Sequence, residues 1–95
     1  RKIMNECDIR VGDIVLSTQG RDKGNYFLVV EANDGFVFLV DGGMRKLAQP
    51  KKKNVKHISH SGKSVDAIAK KLLSKQKVFD SEVKSALRQF QESGE

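Results

Sequence analysis

The strongest constraint on this chain is a pair of apolar runs around a tight-turn signal. Phe27-Leu28-Val29-Val30 precedes Asn33-Asp34-Gly35, and Phe36-Val37-Phe38-Leu39-Val40 follows it. An Asp-Gly pair between apolar runs favours a hairpin, because these residues accept the left-handed backbone that a tight turn demands. Strand side chains alternate between faces, so consecutive apolar residues place apolar surface on both faces of that hairpin. One face can fill the inside of a small barrel. The other needs a second cover.

The rest of the chain can supply both partners. At 95 residues it allows one domain, or one small domain with a short appendage. Residues 9–17 read as a first strand, with Gly12-Asp13 breaking its start, and 18–25 as a polar loop in which Gly20 and Gly24 bracket Arg21-Asp22-Lys23. Strands are expected over 26–32 and 36–41, then a short fourth over 44–48 that Pro50 ends. Lys51-Lys52-Lys53 follows as an exposed loop, and 54–58 as a short fifth strand. Val65, Ile68 and Leu72 beside Ala69, then Val83, Ala86, Leu87 and Phe90, each form one apolar stripe at helical spacing. Ser64 suits the N-cap of the first helix, and Asp80 or Ser81 that of the second. Val78-Phe79 should tuck inward between the helices, and 91–95 should fray. The expected architecture is mostly β with C-terminal α. A small antiparallel barrel occupies 9–62, and an amphipathic helix pair over 63–91 packs on it.

Charge is distributed unevenly. The formal net charge is +6, from 18 Lys and Arg against 12 Asp and Glu. Residues 1–44 hold 5 basic and 7 acidic residues, and 64–95 hold 6 and 5. The stretch 45–63 holds 7 basic residues (Arg45, Lys46, Lys51, Lys52, Lys53, Lys56, Lys63) and no acid. Such a stripe is the electrostatic footprint of a phosphate-backbone partner. It lacks the interleaved large apolar residues of a membrane-surface helix. The longest apolar run, 36–40, is far below the roughly 20 residues that span a bilayer. No apolar segment follows the charges of 1–5, which gives no secretory signal. A lone cysteine, Cys7, forms no internal disulfide and points to a reducing, cytoplasmic setting.

Other chemistries are less well supported by the residues. Ser61-Gly62-Lys63-Ser64 matches the tail of a phosphate-binding loop, but His57 stands where that motif needs its first glycine. What survives is a possible anion site at the first helix start, with Lys63 beside free N–H groups. His57, His60 and Cys7 have no fourth ligand at metal spacing, so no metal is expected. The two histidines read as surface groups in a basic loop. Asp13, Asp34 and Asp41 sit at strand ends or turns, where a short acid usually bonds local backbone. Nothing indicates an enzyme, a cofactor or a small-molecule substrate. As a DNA-reading pair the helices would bring Asp80-Ser81-Glu82 to the phosphates, with only Lys84 and Arg88 as cations on the second helix. Most aromatic residues fall inside apolar runs and read as core; Tyr26, beside Gly24, is the candidate for stacking on a nucleotide.

Val11-Gly12-Asp13-Ile14-Val15, Gly20-Arg21-Asp22-Lys23-Gly24 and the run to Val30 together resemble a KOW motif. This is the strand, glycine-bearing loop and strand of ribosomal proteins and transcription elongation factors. The continuation through Val37 to Val40, Asp41-Gly42, Arg45-Lys46 and the segment from Pro50 to Ile58 resembles large-subunit ribosomal protein fourteen of archaea and eukaryotes. It resembles the short bacterial ribosomal-protein-like KOW proteins more closely still. The resemblance spans about residues 9–60. It implies an SH3-like barrel that contacts ribosomal RNA on the ribosome, in translation. Its RNA-facing positions correspond to Arg21, Lys23, Arg45, Lys46, Lys51, Lys52, Lys53 and Lys56; His57 and Lys63 of the basic stretch complete the candidate set. One departure is that Asn25-Tyr26-Phe27 stands where many KOW motifs carry a further glycine. The expected function is a monomeric, non-catalytic RNA-binding protein. The alternative is a KOW module docking on a polymerase or another factor, whose sign would be apolar surface left uncovered on the helices.

Overall fold

The computed structural model describes residues 9–93, so the readings of Cys7 and of 1–5 lie outside the described residues. Five strands, β1 (Asp13–Ser17), β2 (Tyr26–Asn33), β3 (Phe36–Val40), β4 (Lys51–Asn54) and β5 (Ile58–Ser64), precede two helices, α1 (Asp66–Leu73) and α2 (Asp80–Ser93). The strands pair antiparallel in the order β4-β3-β2-β1-β5. A 3-10 turn, Val55–His57, leads from β4 into β5, which crosses back to pair with β1. This strand order, with its 3-10 turn before the returning strand, is that of an SH3-like barrel.

The hairpin forms where its turn signal lies, with Asn33 paired to Phe36. Its two apolar faces feed two cores. Val15, Phe27, Val29, Val37, Leu39 and Ile58 fill the barrel interior with Ile9. On the other side Ile14, Leu28 and Val40 meet Ile68, Val83 and Leu87 of the helices. The register of β2 on β3 shifts between Val29 and Glu31, leaving Val30 as an extra residue that packs toward the helices. Two glycines set how closely the helices approach. Gly12 has φ +93°, and a Cβ there would lie 2.5 Å from the Ala69 Cβ of α1. Gly42 has φ +81°, and a Cβ there would strike the Asp80 carbonyl oxygen at the start of α2. Any other residue would meet both a strained backbone and a clash.

Several expected boundaries move. No strand forms over 44–48, because Asp41 folds that segment into turns: its Oδ1 accepts from Gly43 N and Arg45 N, both at 2.8 Å. The fourth strand is the lysine run itself, paired with β3, so Lys51-Lys52-Lys53 is not an exposed loop. Residues 55–57 are a 3-10 turn rather than strand, started by Asn54 Oδ1 accepting from Lys56 N at 2.9 Å. β1 begins only at Asp13, whose carboxylate accepts from Arg10 N at 2.7 Å and curls the preceding residues into a turn. Ser64 ends β5 opposite Asp13, and the N-cap of α1 is Val65, with no side-chain bond. Asp80 does not cap α2 either. Its Oδ1 accepts from Leu47 N at 2.7 Å, while Glu82 Oε2 accepts from Phe79 N at 3.2 Å. Phe79 is 55% exposed rather than tucked in, although Val78 packs on the helix-side core. α2 continues through Ser93 instead of fraying from Gln91.

Candidate nucleic-acid interface

Strand alternation decides the fate of the lysine run. Lys53 pairs with Val37 and Lys51 with Leu39, both barrel-core residues, whereas Lys52 pairs with Phe38. Residues directly opposite share a face, so Lys51 and Lys53 lie toward the barrel interior and Lys52 toward the outside. The Lys53 side chain is only 7% exposed. A buried ammonium needs acceptors, and the loop over 18–25 provides them. Lys53 Nζ donates to Asp22 Oδ1 and to the Gln19 carbonyl, each at 2.7 Å. Ser17 Oγ donates to the same Asp22 oxygen at 2.7 Å. Lys51 Nζ faces Asp22 Oδ2 at 3.0 Å as an ion pair without hydrogen-bond geometry. Burial works to raise the Asp22 carboxyl, but Lys53, Ser17 and Lys51 outweigh it and hold that carboxyl well below the usual carboxylate range. Asp22 therefore ties the glycine-bracketed loop to β4. Thr18 N donates to the His57 carbonyl at 2.8 Å and ties the same loop to the 3-10 turn.

This tie brings Arg21, Lys23, Lys51, Lys53, Lys56 and His57 to one end of the barrel. Arg21, Lys23, Lys52, Lys56 and His57 are exposed. Among the described residues none of these five has an acidic partner. Arg45 and Lys46 are also exposed, but on the turns that Asp41 and Asp80 fasten toward α2. Lys63 lies at the far edge, in the irregular part of β5 opposite β1. The ten sequence candidates thus do not form one patch, and two of them are internal ties.

The anion site expected at the start of α1 is not formed as read. Gly62, Lys63 and Ser64 belong to β5, one residue and more before the cap. His60 is not a free surface group: Nε2 lies 2.9 Å from Asp13 Oδ2, and Nδ1 accepts from Gly62 N at 2.8 Å. Asp13 and Asp41 bond local backbone, as their turn positions implied. Tyr26 is already engaged, edge-on to Phe90 of α2 with ring centroids 5.0 Å apart, and packs on the helix-side core. The exposed aromatic beside a cation is Phe36 instead, 39% exposed with Lys52 Nζ 4.3 Å from its ring centroid. Sequence reasoning passed over Phe36, as it did Asp22. The one available signal was position: Phe36 directly follows the turn glycine, at the hairpin end of its strand.

Fold and site define a small SH3-like barrel, braced by two helices, with free cations around the loop that Asp22 fastens. No protein-family model matches the chain. Large ribosomal subunit protein eL14 of Methanococcus maripaludis (strain C7) is 34% identical over 58 residues, covering 61% of this chain and 70% of the relative. The protein of the same name from Methanococcus vannielii is 34% identical over the same coverage. The chain belongs to the eL14 family of ribosomal proteins.

Proposed function

We propose that the protein is a non-catalytic RNA-binding component or partner of the ribosome, working in the cytoplasm as a monomer, with no small-molecule substrate. Supporting this, its relatives are named for the large ribosomal subunit. The observation that carries the reading is the set of exposed basic side chains without an acidic partner among the described residues: Arg21, Lys23, Lys56 and His57 at the loop end, Lys52 on the outer face of β4, and Arg45, Lys46 and Lys63 beyond them. Exposed lysines and arginines neutralise phosphates and release counterions, which gives affinity with little sequence reading. A-form RNA hides its base edges in a deep, narrow groove, so shape decides where such a surface docks. In this reading the barrel over 9–62 makes the contacts and the helix pair over 63–91 braces it. Lys51 and Lys53 position the loop rather than meet phosphate.

No helix among the described residues is long and apolar enough to cross a membrane. The protein-docking reading has less to stand on, because the apolar stripes of both helices face the sheet. What the helices leave exposed, Leu73 and Phe79, lies at the link between them. Ultraviolet cross-linking in cells, followed by sequencing of the attached RNA, tests the proposal. Enrichment of ribosomal RNA is expected. A spread over messenger RNA without that enrichment would overturn it.

A further inference from the structure

We infer that Phe36 and Lys52 form a stacking site for one unpaired RNA base and its phosphate. This rests on the RNA-binding reading and adds to it a preference for bulged or looped RNA. Val37 and Leu39 point into the barrel, so Phe36 and Phe38 share the opposite face of β3. The helices cover that face at Val40 and leave its other end open. There Phe36 is 39% exposed, Phe38 is half-buried, and Lys52, paired opposite Phe38, is exposed between them.

An exposed ring with a cation beside it is the pairing that unpaired nucleotides use, base on ring and phosphate on ammonium. Lys52 Nζ lies 4.3 Å from the Phe36 centroid and has no acidic partner among the described residues. The acid on the adjoining strand, Glu31, pairs opposite Phe38 and accepts from Asn33 Nδ2 at 3.2 Å, which turns it along its own strand. An exposed cation–ring contact favours the resting position of the ammonium by only about 2- to 5-fold. Stacking of a base favours the ring by about 5- to 150-fold. A base therefore displaces the ammonium from the ring, and the flexible lysine stem moves it to the phosphate alongside.

The test compares binding of a duplex RNA carrying one bulged nucleotide with the same duplex fully paired. Wild type, Phe36→Leu and Phe36→Tyr are measured, each checked for an unchanged melting curve. Wild type and Phe36→Tyr should prefer the bulged RNA. Phe36→Leu should lose that preference, by about 5-fold or more, at unchanged affinity for the paired duplex. A bulge preference that survives in Phe36→Leu, or wild type binding both RNAs equally, would overturn the stacking site while leaving RNA binding intact. Wild type binding neither RNA would overturn both.

Discussion

Lys52 and Lys53 are neighbours of the same type in one strand, yet their environments are opposite. Lys53 is buried, and its Nζ donates to Asp22 Oδ1 and to the Gln19 carbonyl. Lys52 stands in solvent over Phe36, with no acidic partner among the described residues. A uniform run of charge is thus divided by strand alternation into an inner set that holds the fold and an outer set free for a partner. Net charge alone overstates the binding surface, because two of the seven cations over 45–63 are already engaged by Asp22, whose single charge offsets one of them.

The comparison can be broken or sharpened by substitution, and the largest effect lies outside both sets. Leu87→Ala opens the helix-side core and should destabilise by about 2–5 kcal/mol, measured by urea unfolding. A loss well under 1 kcal/mol would mean that the helices do not brace the sheet. Lys53→Met leaves Asp22 with Lys51 and Ser17 alone, and should destabilise by about 3 kcal/mol because a buried charge loses its closest partner. Acid should act on the same tie. The folded-state carboxyl of Asp22 is lowered from its ordinary value of 3.8, so its contribution is present above that value and is lost as pH falls below it toward the folded one. Melting measured between pH 6 and pH 2 should therefore decline below about pH 4, less so in Asp22→Asn. Equal declines in both proteins would remove Asp22 from the account. The smallest stability effect belongs to Lys52→Ala, within about 0.5 kcal/mol of wild type, as expected for an exposed site.

Legibility in the sequence followed the range of the interactions. The hairpin was legible because Asn33-Asp34-Gly35 and its flanking runs are local, and the need for two cores followed from consecutive apolar residues such as Leu28 and Val29. The helix stripes were legible for the same reason, with Leu87 buried and Leu72 half-buried. β4 was not. Lysines have weak strand preference, and only pairing with β3 makes that segment a strand. Asp22 was hidden because its partner Lys53 is 31 residues away, and no local pattern joins them. Tyr26 is covered and Phe36 exposed, the reverse of their sequence reading, because Phe90 of α2 packs on Tyr26 and nothing on the described face covers Phe36 to the same extent.

The central claim is that outer lysines meet phosphate and inner ones do not. A salt titration of RNA binding tests it most directly, comparing wild type, Lys52→Ala and the double variant Asp22→Asn with Lys53→Met, which leaves no buried carboxylate short of its partner. For Lys52→Ala the slope of log affinity against log salt should become shallower by roughly 0.7–0.9, the loss of one phosphate contact. For the double variant the slope should be no shallower than that of wild type. A slope flattened in the double variant and unchanged in Lys52→Ala would contradict the division of the lysine run.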